Sequence, residues 1–104
     1  MDDKFRKFEG WYTNKTTRWE QVGIFVDEAG LDEKYGHQYW IKLHSKNGLG
    51  NIALYESNGY YWVDFESGNY DLDVMFIRSG IEFDNVDDLD VHESEFINYL
   101  KSKI

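Results

Sequence analysis

From Gln38 to Ile77 the chain alternates apolar and polar residues, interrupted at Asn47-Gly48, Asn58-Gly59 and Gly68-Asn69. A period of two marks strands with one buried face. Asn and Gly tolerate the positive φ that tight two-residue hairpin turns require. The pattern therefore predicts a four-stranded antiparallel meander, with strands at about 38–46, 49–57, 60–67 and 70–78. Two-residue turns also set the cross-strand partners. One face then reads in rows Ile41–Leu54–Val63–Val74, Leu43–Ile52–Phe65–Leu72 and Tyr39–Glu56–Tyr61–Phe76, and is the expected core.

Upstream, Phe5, Phe8, Tyr12, Trp19 and Val22 fall at helical spacings between Asp2 and about Gln21, with Gly10 and Thr16-Thr17 as places where the helix can break. Val22, Ile24 and Val26 alternate as a strand, and residues 28–37, including Tyr35 and Gly36, read as a polar loop. Downstream, Ile81 and Phe83 either extend the sheet or form a fifth or sixth strand. Residues 84–90 read as an acidic loop. Asp90 followed by Glu93 resembles a capping box opening a last helix, with Phe96, Ile97 and Leu100 on its buried stripe and Lys101 and Lys103 near its end. The expected fold is α+β: one domain over residues 1–104, a four- to six-stranded antiparallel meander with an N-terminal and a C-terminal helix packed on one face.

The same pairings give a second face, Trp40–Tyr55–Trp62–Met75, Lys42–Ala53–Asp64–Asp73 and His44–Asn51–Glu66–Asp71, with Tyr60 and Ile77 at one end. Asp64 opposite Asp73 and Glu66 opposite Asp71 would destabilise the sheet by ~0.2–1 kcal/mol each, and only Lys42 and His44 offset them. One explanation is a binding face, with Trp40, Tyr55, Trp62 and Tyr60 as anchors and Asp64, Glu66, Asp71 and Asp73 drawing a cationic partner. The other is that Phe25, Leu31, Tyr35 and the 28–37 loop cover the rings while the carboxylates are merely solvated. Asp84, Asp87, Asp88 and Asp90 form a secondary acidic surface.

Charge narrows the partner. Eleven Lys and Arg stand against 20 Asp and Glu in 104 residues, for a net charge of −9. Such a surface repels nucleic acid and anionic lipid and attracts basic proteins. The absence of cysteine excludes disulfides and thiolate chemistry. An aromatic content of 18% argues against disorder. No apolar run approaches the ~18 residues of a membrane span, and the Met1-Asp2-Asp3 start has no signal-peptide character, so a cytoplasmic protein without membrane contact is expected.

Catalytic patterns are weak. Asp64 and Asp73 could flank a glycosidic bond, but a small sheet offers no deep cleft. Asp71-x-Asp73 and Asp88-x-Asp90 lack the glycine and glutamate of a calcium loop. Asn47-Gly48-Leu49-Gly50 lacks the lysine and following helix of a phosphate loop. The run Lys4, Arg6, Lys7 is too short to imply nucleic-acid binding. No enzyme activity, metal or cofactor is expected.

The aromatic-rich opening (Phe5, Phe8, Trp11, Trp19), Trp40-x-x-Leu43, the block Gly50-Asn51-Ile52-Ala53-Leu54-Tyr55-Glu56-Ser57, Asp71-x-Asp73 and the closing Ser94-Glu95-Phe96-x-x-x-Leu100 together resemble the small immunity proteins of bacterial polymorphic toxin systems, including TriTu-type and contact-dependent growth inhibition immunity proteins. The resemblance implies a cytosolic, non-catalytic protein that binds a cognate toxin domain, often a nuclease. It carries no contact residues, which come from the face alone. The expected function is neutralisation of a basic toxin domain, a nuclease such as an RNase, by occupation of its electropositive active site. A carbohydrate-binding module using the Trp and Tyr face and an acidic DNA mimic inhibiting a host defence enzyme are the alternatives. The toxin's identity and the oligomeric state are left open.

Overall fold

A computed structural model describes residues 2–34 and 37–101. Five strands, β1 (Phe25–Asp32), β2 (His37–Ser45), β3 (Gly48–Ser57), β4 (Tyr60–Gly68) and β5 (Val74–Ile81), form one open antiparallel sheet in chain order. Helices α1 (Asp3–Thr13), α2 (Thr16–Gln21) and α3 (Asp90–Leu100), with a 3-10 turn at Val86–Leu89, cover one side. The fold is α+β, as the alternation predicts. Tyr39, Ile41, Leu43, Ile52, Leu54, Val63, Phe65 and Phe76 supply the sheet's half of the core. Phe5, Phe8, Trp11, Trp19, Leu89, Phe96 and Leu100 supply the helical half.

The N-terminal helix breaks in two. Thr13 Oγ1 donates to the carbonyls of Glu9 and Gly10 at 2.8 and 3.2 Å, and Thr16 Oγ1 to that of Thr13 at 2.9 Å. These hydroxyls bond to helix carbonyls, a pattern that weakens and bends helices. Gly10 stays inside α1. The short α2 then drops Trp19 into the core, where it is 1% exposed.

The first half of the expected loop at 28–37 is an edge strand. β1 runs to Asp32, with Ala29 opposite Ile41 and Leu31 opposite Tyr39 on the core side. Its acidic residues, and a bulge between Val26 and Glu28, are usual protection for an edge. Tyr35 and Gly36, and Lys103 at the other end, lie outside the described residues.

The central hairpin has the expected register: Asn58 and Gly59 take φ of 52° and 84°, and Tyr55 pairs with Trp62. The first hairpin is displaced by one pair. Ser45 pairs with Gly48, so Lys46-Asn47 makes the turn and Ile41 faces Ile52, not Leu54. Asn47 has another task, donating from Nδ2 to the carbonyl of Lys101 at 2.7 Å beyond the end of α3. Gly48 is needed because its neighbour is backbone: a Cβ there would fall 1.9 Å from the Gly68 carbonyl oxygen.

The third connection is a longer loop, not a Gly68-Asn69 turn. Asn69 Oδ1 accepts from the backbone N–H of Asp71 and of Asp73, both at 3.0 Å, and Leu72 takes a φ of 69°. Phe65 therefore faces Arg78, Glu66 faces Ile77 and Ser67 faces Phe76. Leu72 and Val74, expected in the core, are 91% and 62% exposed. Ile81 ends β5, and Phe83 is buried beyond it without forming a further strand.

Candidate functional site

The helices leave the second face of the sheet without a covering element among the described residues. Leu31 packs on the helical side instead, and Phe25 lies against His44 with 5.6 Å between ring centres, so neither covers the tryptophans. The face holds Trp40, Lys42 and His44 of β2, Leu49, Asn51, Ala53 and Tyr55 of β3, and Trp62, Asp64 and Glu66 of β4. Displacing the first hairpin by one pair moves residues along the sheet but keeps each on its side, because the side-chain period is two.

The aromatic row differs in detail from the expected one. Tyr55 and Trp62 are direct partners, stacked at 5.5 Å with 19° between ring planes. Trp40 lies one row over, opposite Gly30 and Ala53. Its ring rests on Gly30, where a Cβ would fall 2.8 Å from Cζ2. Ala53 is fully buried beneath these larger neighbours. All three rings are half-buried, held by one another and by small residues. Tyr60 stands at the hairpin end, 69% exposed. It lines, with Ser57, Asn58, Trp62, Gly80 and Glu82, an open cleft of about 510 Å³.

The four carboxylates do not face one another in pairs. Asp64 Oδ1 accepts from the N–H of Gly80 at 2.8 Å, capping the irregularity where β4 meets β5. Glu66 is exposed between Asn51 and Ile77 and makes no ion pair or hydrogen bond among the described residues. Asp71 and Asp73 lie in the loop after β4, where Asp73 Oδ2 accepts from Asn69 Nδ2 at 3.3 Å. The predicted like-charge repulsion is thus relieved by the longer loop.

Acidic residues that the sequence reading did not place here come from β1. Glu28 sits opposite Lys42 with 3.9 Å between charges, Asp27 meets His44 Nδ1 at 2.5 Å, and Asp32 lies opposite Gln38. The alternation of Ala29 and Leu31 was the available signal. Burial, and then the nearby charges of Asp64 and Glu66, push the Tyr55 hydroxyl above its ordinary pKa. The face is therefore apolar in its middle and net negative around it, with the basic groups Lys42 and His44 on it paired to Glu28 and Asp27.

The secondary acidic surface is partly consumed internally. Asp88 Oδ2 accepts from Asn85 N–H at 3.1 Å in a reciprocal cap of the 3-10 turn, so the capping box is Asn85/Asp88 rather than Asp90/Glu93. Asp90 Oδ1 accepts from Trp11 Nε1 and Lys15 Nζ, each at 2.8 Å. Burial would raise the Asp90 pKa, but bonds from Lys15 and Trp11 outweigh it and hold the carboxyl below its ordinary value. Glu93 is 3% exposed and accepts from Trp19 Nε1 at 2.9 Å. Among the described residues, only Asp84 and Asp87 of this group face solvent without an internal acceptor role for their side chains.

Among the described residues no group of three or more His, Asp or Glu is gathered as a metal site, and no helix is long and apolar enough to cross a membrane. Comparison with protein families, with curated proteins and with solved structures finds no match for this chain.

Proposed function

We propose that this chain is an immunity-type protein that binds and neutralises a basic bacterial toxin domain, most naturally a nuclease. The observation carrying the reading is the uncovered sheet face, with stacked Tyr55 and Trp62 beside Trp40, bordered by Glu28, Asp32, Asp64 and Glu66. Interfaces are built this way, with central aromatic anchors and a polar rim. A nuclease binds phosphates with Lys and Arg, so its catalytic groove is complementary to this rim. The net charge of −9 favours fast, salt-sensitive encounter with such a groove. Trp40, Tyr55, Trp62 and Tyr60 are the anchors, Asp64 and Glu66 the central acids, and Asp71 and Asp73 a flanking pair at the sheet's end. The resemblance of the Gly50–Ser57 block to small immunity proteins supports the same reading.

Co-expression with a basic nuclease toxin domain, taken from the neighbouring gene where that gene encodes one, is the test. The expected result is survival of the host and stoichiometric loss of nuclease activity in the purified mixture. Failure to protect, with the protein folded and in excess, would overturn the proposal.

A further inference from the structure

Aromatic rings in this fold repeatedly hold a cation that a carboxylate fixes in place. Lys15 Nζ is 5.2 Å from the centre of the Trp11 ring and 2.8 Å from Asp90. Lys42 Nζ is 5.2 Å from the Trp40 ring and 3.9 Å from Glu28. The Arg78 guanidinium is 4.7 Å from the Phe76 ring and 3.0 Å from Glu95. Each is the same three-part arrangement, in which the ring face attracts the cation and the acid orients it.

The cleft at the β3–β4 hairpin has two of the three parts. Tyr60 and Trp62 supply rings and Glu82 an acid, but no Lys or Arg is among its lining residues. Glu82 is exposed and makes no ion pair or hydrogen bond among the described residues. Gly80, at a φ of 68°, leaves the wall open, since a Cβ there would meet nothing within 4 Å. Asp64, bonded to the Gly80 N–H, adds negative charge behind it.

We propose that this cleft receives an arginine side chain of a partner protein, its guanidinium stacked on the Tyr60 or Trp62 ring and donating to Glu82. The inference rests on the reading of the open face as a protein-binding surface and names the chemistry of one contact in it. Arginine fits better than lysine because a planar, weakly hydrated guanidinium stacks on a ring while its edge donates to a carboxylate.

The test is a low-salt NMR titration with the peptide acetyl-Gly-Arg-Gly-amide, against peptides carrying citrulline or lysine instead. The arginine peptide is expected to shift the Trp62 indole and Tyr60 ring signals along a saturating curve. The neutral citrulline peptide should leave them in place, and Glu82→Gln should weaken the response about fivefold. Glu95→Gln, on α3 at the helix-covered side of the sheet, outside the cleft lining and paired with Arg78, should not change it. No response at Trp62, an equal response to citrulline or lysine, or indifference to Glu82→Gln would each overturn the proposal. Those results would leave toxin neutralisation to stand or fall on the co-expression assay, so the two failures are distinguishable.

Discussion

Replacing Glu93 by Leu probes the tie between α2 and α3. Glu93 and Trp19 are 3% and 1% exposed, and the indole N–H reaches Oε1 at 2.9 Å. Leucine keeps much of the volume but accepts nothing, so a buried N–H is left unpaired at a cost of about 1–3 kcal/mol. Arg18, 3.4 Å from the same oxygen, is 65% exposed and simply returns to water, adding little. Loss of a negative charge in the first turn of α3 removes about 0.3–1 kcal/mol more. Against a total stability of roughly 5–15 kcal/mol this is a large fraction. Urea unfolding followed by tryptophan fluorescence gives the number. Glu93→Gln keeps an acceptor oxygen and should lose under about 1 kcal/mol. In a Trp19→Phe background the orphaned donor no longer exists, so Glu93→Leu should cost much less there, leaving a coupling of about 1 kcal/mol or more. A Glu93→Leu variant within about 0.5 kcal/mol of the parent, or a coupling near zero, would refute the argument.

Three further outcomes are expected. Because the Asp90 pKa is depressed below 3.8 in the folded protein, its contribution is present above about pH 4 and is lost as pH falls through the lowered value. Asp90→Asn should flatten the urea midpoint against pH below pH 4, and an unchanged acid slope would contradict this. The Tyr61 hydroxyl, donating to Asp2 Oδ2, is raised to about 12 from 10.0, chiefly by that bond. Its contribution is complete below pH 10 and lost as pH rises through about 12, and Tyr61→Phe should abolish that component of alkaline destabilisation. Gly30→Ala places a Cβ 2.8 Å from Trp40 Cζ2, so the ring must lift. Near-ultraviolet circular dichroism should change, with stability altered by less than about 1 kcal/mol because the half-exposed ring can move outward. An unaltered spectrum would show that Trp40 does not rest there.

The faces of the central strands were legible because parity survives a displacement by one whole pair. Asn58-Gly59 gave the right register because both residues serve only the turn and adopt positive φ. Asn47-Gly48 misled because the same two letters answer tertiary demands, an acceptor beyond α3 and close passage of the Gly68 backbone. After β4 the positive φ falls on Leu72, a residue that local rules do not place there, and the stacked carboxylate pairs expected from a tight turn vanish with it. The aromatic half of the candidate site was therefore readable and the arrangement of its acids was not. Glu93 reads as the acid of a capping box opening the last helix, and only its packing against Trp19, 74 positions earlier, makes it an interior group.

The proposal that the open sheet face captures a basic toxin domain is tested most directly by the affinity of the toxin domain found to be neutralised in co-expression for the parent protein and for Tyr55→Ser/Trp62→Ser. Both rings are half-buried on a face without a covering element among the described residues, so the variant should remain folded with its thermal midpoint lowered modestly. Binding should fall by roughly 100-fold or more, mainly through faster dissociation. Equal affinity of parent and variant would contradict the account and place the interface elsewhere.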